Sequence, residues 1–282
     1  MIEAISGAGK SIPFSAAHRT LVRAMDDRDF IPFGLPHWVA MTLTAAAAAG
    51  FILVHRSPRF SDKFKRCADL VLAWTLILAV TADPVLTWIR YHGDGAEKAW
   101  RLIIDNSLPL YLCDVVSIVL ALALLSRRQR LAETGYLWGM GGTVQGLITP
   151  TLYFNWNEPE YYAFFLQHGG VPVAAAALVW GLGLRPQRGA FVRIVLWGLV
   201  YMAAVISINA LIGRNYGFLN AKPEVHTMMD YMGPAPWHLV TLNVVACTFY
   251  ALLLLPFRNG WRPAPAEETQ LGAPNDTLPL RG

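Results

Sequence analysis

The chain has 282 residues, of which 55% are hydrophobic and 15% charged. Soluble domains carry about 25% charged residues, so the composition excludes an ordinary soluble domain and points to a membrane protein. The formal charge of +4 would suit a nucleic-acid partner in a soluble chain, but here the basic residues sit in short loops between apolar runs, where they set topology instead.

Residues 1–34 lack the continuous apolar run of a cleavable signal peptide. They read as a partly interfacial lead-in, anchored by Ile12-Pro13-Phe14 and Ile31-Pro32-Phe33. A membrane helix needs roughly 20 mostly apolar residues, and about seven such segments follow. They run near 35–55, 67–90, 108–125, 135–154, 161–182, 191–213 and 237–257. The third is opened by the string Asn106-Ser107-Leu108-Pro109-Leu110-Tyr111-Leu112-Cys113-Asp114. In the fourth, Gly139, Gly141, Gly142 and Gly146 predict close helix contact, because small residues let backbones approach. Residues 258–282, rich in Pro, Glu, Thr and Asn from Trp261 onward, read as a disordered cytoplasmic tail. The expected fold is all-α, a polytopic membrane bundle of about seven transmembrane helices. Ten Trp and ten Tyr suit its two interfacial belts.

Orientation follows from the loops. The first holds Arg56, Arg59, Lys63, Lys65 and Arg66, the third Arg127, Arg128 and Arg130, and the fifth Arg185, Arg188 and Arg193. In the second, Arg90, Lys98 and Arg101 are diluted by Asp94, Glu97 and Asp105. Positive loops stay in the cytoplasm, which predicts the N-terminus outside and the C-terminus inside. Lys10, Arg19, Arg23 and Arg28 in the lead-in oppose that assignment and are outweighed by the loops.

On this topology the unusual polar residues gather toward the outer end. Cys113 and Asp114 open the third span, and Asp83 lies near the outer end of the second. Gln145, Thr149 and Tyr153 share one face at i, i+4 spacing. Gln167-His168-Gly169-Gly170 lies in the fifth span, with open space expected beside His168 at the two glycines. Asn209 precedes Asn215-Tyr216-Gly217, and Trp237-His238 enters the seventh span. A polar pocket at the outer interface accounts for this clustering, since ionisable groups inside a membrane mark function by default. Its expected lining is Asn106, Gln145, Thr149, Tyr153, Asn209, Asn215, Tyr216, Trp237 and His238, around Cys113, Asp114 and His168.

Each member also has a plain structural reading. Buried cysteines usually behave as small hydrophobes, which suits Cys67 and Cys247. His168 and Asn209 could be helix-to-helix cross-links, and His238 an interfacial residue. Asp83 reads best as structural glue to Arg214, Arg101 or an Asn. Three scattered cysteines give no disulfide framework, and His37, His55 and His92 lack metal-ligand spacing. No cofactor is expected.

At these residues the chain resembles a known group. The ordered strings Asn106 to Asp114, Gly146-Leu-Ile-Thr149-Pro150 with Tyr153-Phe154, Gln167 to Gly170, Asn215-Tyr216-Gly217 and Gly233-Pro-Ala-Pro-Trp237 are similar to those of the bacterial YwaF-like integral membrane family. They are similar also to the related eukaryotic transmembrane proteins regarded as cysteine-dependent phospholipid acyltransferases. The resemblance implies a multi-pass protein of the bacterial inner membrane, with Cys113 as nucleophile and His168 as base. It also implies a His where this chain has Tyr111, a departure that either removes transfer activity or shifts the activating task to His168.

A thiolate is the reactive form of cysteine, and a nearby His can take its proton. Asp114 faces away from Cys113 on a helix and is expected to orient a His or pair with a base. Asn209, Asn215 or Gln145 are the expected oxyanion donors. An outward-facing site has no acyl-CoA, so the expected reaction moves a fatty acyl chain from a phospholipid to a lysophospholipid through a Cys113 thioester. With water as acceptor, the protein would be a lipid hydrolase. The rival readings are a non-enzymatic lipid or small-molecule binding protein and a transporter.

Overall fold

The computed structural model describes residues 30–150, 152, 154–222 and 228–260. Tyr153, His226, most of the lead-in and the tail from Trp261 lie outside the described residues. Every regular element among the described residues is helical. In chain order these are α1 (Leu35–Arg56), α2 (Asp62–Tyr91), α3 (Ala96–Leu102), α4 (Leu112–Ser126), α5 (Gln129–Trp138), α6 (Val144–Ile148), α7 (Pro159–Ala176), α8 (Ala190–Ile212) and α9 (Trp237–Leu254).

Local chemistry sets the helix ends. Pro36 occupies the first turn of α1, where its missing N–H costs nothing. Ser61 caps α2 by accepting from the Phe64 N–H at 3.3 Å. Gly189 and Gly213 bracket α8 at φ of 79° and 67°, conformations that only glycine adopts freely.

Five helices are long and apolar enough to cross a membrane, spanning Leu35–Arg56, Asp62–Asp94, Pro159–Gly181, Ala190–Ile212 and Trp237–Arg258. Their exposed faces carry Trp74 and Leu78 on α2, Trp197 and Val200 on α8, and Val240 and Val244 on α9. Large apolar side chains facing outward are what a lipid solvent selects. The packed centre lies between α2, α4, α5 and α7, where Leu76, Val116, Leu120, Leu137 and Leu178 are fully buried. Small residues let these helices close on one another: a Cβ at Gly139 would lie 2.8 Å from Val171 Cγ1, and one at Gly141 2.8 Å from Tyr250 Cε1.

The third expected span is not one straight helix. Ala96–Ser107 and Leu112–Ser126 meet at 78°. The residues expected to open a helix form the break instead, because Pro109 lacks an N–H and forces the preceding residue out of the helical region. Leu108 is accordingly extended, with ψ of 143°. A break at this depth must find partners for its freed backbone groups. Tyr216 supplies two of them: its hydroxyl accepts from the Leu108 N–H at 3.1 Å and donates to the Ile104 carbonyl at 2.8 Å. Burial pushes the Tyr216 phenol up to about 12, so it stays protonated and serves both roles. The Tyr201 hydroxyl donates to the Leu110 carbonyl at 2.8 Å. A Tyr216→Phe variant strands a donor and an acceptor, each at a cost of about 1–3 kcal/mol. Thermal unfolding in detergent should show the corresponding drop in Tm; an unchanged Tm would mean that the break is held by other contacts.

The fourth expected span is continuous with α5, a π-helical turn (Gly139–Thr143) and α6, yet it is not among the helices apolar enough to span. It lies inside the bundle. Ala132, Glu133, Gly135, Tyr136, Leu137 and Trp138 are all buried, so this helix needs no lipid-facing surface and can be built of small and polar residues.

The basic loops converge at one end. Asp69 is fully buried; its Oδ1 lies 2.9 Å from His55 Nε2 and its Oδ2 accepts from Arg127 at 3.0 Å, bringing together α1, α2 and the end of α4. Arg66 donates to the Leu124 and Leu125 carbonyls, each at 2.8 Å. Glu133 takes a two-pronged contact from Arg193 and the Gln187 N–H at 2.9 Å. The first, third and fifth loops therefore share one end of the bundle.

Candidate functional site

At the opposite end lies a cavity of about 460 Å³. Its polar lining comes from the end of α2 (Asp83), the turn before the Pro109 break (Asn106), the first turn of α4 (Cys113, Asp114) and the middle of α7 (Gln167, His168). Residues of the second, third and fifth expected spans thus line one space.

The break in the third span creates the site. It places Cys113 in the first turn of α4, one residue before Asp114. A helix N-terminus favours negative charge there. The Cys113 thiol points to Asp114 Oδ1 at 3.9 Å. Asp114 has two further duties. Its Oδ2 accepts from the Tyr111 N–H at 3.1 Å and so caps α4. Its Oδ1 accepts from Gln167 Nε2 at 2.6 Å. Among the described residues Asp114 bonds to no histidine; it is a helix cap that also holds the thiol and an amide. Its position three residues into the helix explains this, because a carboxylate there reaches back to the cap N–H.

His168 is 8% exposed and lines the cavity. Its Nδ1 lies 3.0 Å from the Phe164 carbonyl oxygen. A carbonyl only accepts, so Nδ1 carries the hydrogen and Nε2 keeps its lone pair. Nε2 has no hydrogen-bond partner among the described residues. The ring stacks on Phe164 at 4.0 Å and lies over Gly146, where a Cβ would sit 2.7 Å from Cδ2. The space for the imidazole therefore comes from Gly146. Gly169 and Gly170, expected to leave room beside His168, are filled by the neighbouring helices: their Cβ positions would meet Thr44 Oγ1 at 2.5 Å and Leu76 Cδ2 at 2.9 Å.

The mouth of the cavity carries an ion cluster absent from the expected site. Arg90 donates to Glu158 and Glu160, both at 2.7 Å, and lies 4.9 Å from the Phe154 ring centre. Asp83 forms no ion pair among the described residues. Its suggested partners are taken, since Arg214 pairs with Asp105 and Arg101 with Glu97. Ser107 Oγ lies 3.1 Å from Thr87 Oγ1 and lines the same space as Asp83.

Of the expected binding residues, Asn106 lines the cavity and several others do not. Asn209 is buried and clamps the Tyr216 backbone, donating to its carbonyl at 2.9 Å and accepting from its N–H at 2.8 Å. Asn215 braces the loop by accepting from the Asn220 N–H at 2.9 Å. Tyr216 supports the break. His238, expected at the interface, is fully buried, with Nε2 3.2 Å from the Phe218 carbonyl oxygen. Trp237 is 68% exposed. Gln145 and Thr149 bond to each other, Thr149 donating to the Gln145 carbonyl at 3.0 Å. Asn209, Asn215, Tyr216 and His238 instead hold the loop after α8, which reaches the cavity at Phe218. Gln167 was visible only as the neighbour of His168.

The family model described as the TMEM164 family matches residues 32–254, which run from the start of α1 to the end of α9 and include the whole cavity. No curated protein and no solved structure matched the chain. With most of its length covered, this multi-helix membrane protein belongs to the TMEM164 family.

Proposed function

We propose that the protein is a cysteine-dependent lipid transacylase, moving a fatty acyl chain from a phospholipid to a lysophospholipid through a thioester on Cys113. The observation that carries this reading is a single cavity walled by a helix-end thiol, a carboxylate, a primary amide and an imidazole whose free nitrogen is a proton acceptor. The resemblance of the Cys113 and His168 strings to cysteine-dependent phospholipid acyltransferases supports it.

In this reading Cys113 is the nucleophile and His168 Nε2 the base across the cavity. Asp114 holds the thiol hydrogen in the resting state. No hydrogen bond joins thiol and imidazole in the resting structure. Such pairs often tighten only once substrate fills the site. Asn106 contributes to the substrate wall. Asn209, Asn215, Tyr216 and His238 support the loop after α8.

Topology fits the same reading. Counting the broken pair as one crossing and the buried Gln129–Ile148 helix as another gives seven. The shared end of the basic loops would face the cytoplasm of a bacterial inner membrane. The cavity would then open outward, away from acyl-CoA, and the donor must be a membrane ester. A thioester keeps the acyl group activated, so no nucleotide is needed. The test is acyl exchange in vesicles free of CoA, with a deuterated acyl chain on the phospholipid and an unlabelled lysophospholipid. Transfer of label by the purified protein supports the reading. Absence of both transfer and free fatty acid overturns it.

A further inference from the structure

We propose that Gln167 is the oxyanion donor of this reaction, one amide hydrogen holding Asp114 and the other taking the ester oxygen of the lipid. The assignment rests on the acyl-transfer reading above and adds a catalytic residue to it.

The step defines what is needed. The Cys113 proton passes to the cavity base, and the sulfur forms a bond to the ester carbonyl carbon. The carbonyl π pair moves onto its oxygen, which carries the negative charge. That charge collapses as the bond to the glycerol oxygen breaks, and the leaving oxygen takes the proton back from the base. A donor must therefore stand close to the sulfur and aim at the carbonyl oxygen.

Thr87, Arg90, Ser107 and Tyr111 also bring donors to the cavity, but among the described residues the side-chain donor that shares a contact atom with the Cys113 sulfur is Gln167. His168 Nδ1–H is committed to the Phe164 carbonyl and its Nε2 accepts, so the imidazole cannot donate to an oxyanion while it serves as base. Asn209 and Asn215 are committed to backbone groups outside the cavity. Asn106 Nδ2 contacts the Leu102 carbonyl at 3.4 Å and shares no contact atom with the Cys113 sulfur. Gln167 is 8% exposed and lines the cavity. Its contact with the Asp114 carboxylate fixes which end of the amide is nitrogen, because that oxygen only accepts. Gln167 Nε2 and the Cys113 sulfur meet the same Oδ1 atom, so one atom separates the amide from the nucleophile. A primary amide has two hydrogens and this contact uses one. The donor is thus buried, held in place before substrate arrives and adjacent to the attacking atom.

The test compares two reactions of the same thiol in the full-length protein, each read at Cys113 by peptide mass. Acylation by phospholipid passes through an oxyanion; alkylation by iodoacetamide does not. Methionine matches glutamine in length and has no donor. Gln167→Met should slow acylation by about 10²–10³-fold while its alkylation rate stays within about threefold of the parent. Gln167→Leu, which also lacks a donor and adds no charge, should show the same split and serves if the methionine variant does not fold. Acylation at the parent rate overturns the assignment. An equal fall in both rates also overturns it, because Gln167 would then act on the thiol through Asp114. Failure of the parent protein to acylate at all removes the acyl-transfer reading and this assignment with it.

Discussion

Replacing Cys113 by serine should lower acyl exchange by at least about 10³-fold while leaving the fold intact. Sulfur and oxygen differ little in volume, and the side chain is only partly buried at the start of α4. Its contact with Asp114 is one a hydroxyl can also make. What serine lacks is an accessible anion. A thiol ionises near pH 8.5 in water, whereas a hydroxyl requires a base already in contact with it, and no histidine is bonded to residue 113. Parallel thermal unfolding separates chemistry from folding. Full exchange by the serine variant would place the reaction elsewhere and reduce Cys113 to a packing residue. Loss of exchange together with loss of folded protein would instead assign the residue to structure.

The largest expected effect on stability lies at the other end of the bundle. Asp69 is fully buried and holds His55 of α1 and Arg127 beyond α4. Removing it leaves the buried His55 imidazole and the half-exposed Arg127 guanidinium without their partner, at about 3 kcal/mol. Asp69→Ala should therefore lower Tm in detergent by on the order of 10 °C, and Asp69→Asn, which keeps the shape, by less. The folded fraction should still acylate Cys113, because the cluster and the cavity occupy opposite ends. A variant that melts at the parent temperature would show that lipid-facing packing, and not this cluster, ties the three helices together.

The sequence carried the all-helical class because apolar runs of spanning length leave few alternatives. It also carried the separation of basic loops from polar residues, since arginine in loops and cysteine, aspartate and histidine in apolar runs are rare in membranes and hence informative. Three features were hidden. The break at Pro109 sits among leucines, so hydropathy reads straight across it. The glycines of the fourth helix announced close packing, but not that the helix is buried among its neighbours, because hydropathy reports composition and not surroundings. The third concerns the polar residues outside the cavity. Asn209, Asn215, Tyr216 and His238 look like site residues in a list of polar groups. In space their partners are backbone atoms of a loop and a broken helix. The need to satisfy those atoms arises only once the chain is folded. Gln167 shows the converse, since its value depends on Asp114 coming within 2.6 Å from another helix.

The most direct measurement is intact-protein mass spectrometry after incubation with a single defined phospholipid. The account predicts a mass increase of one acyl chain, mapped to Cys113, released by neutral hydroxylamine as a thioester should be, and absent from Cys113→Ala. A protein that exchanges acyl chains without ever carrying one, or an adduct that persists in Cys113→Ala, would contradict it.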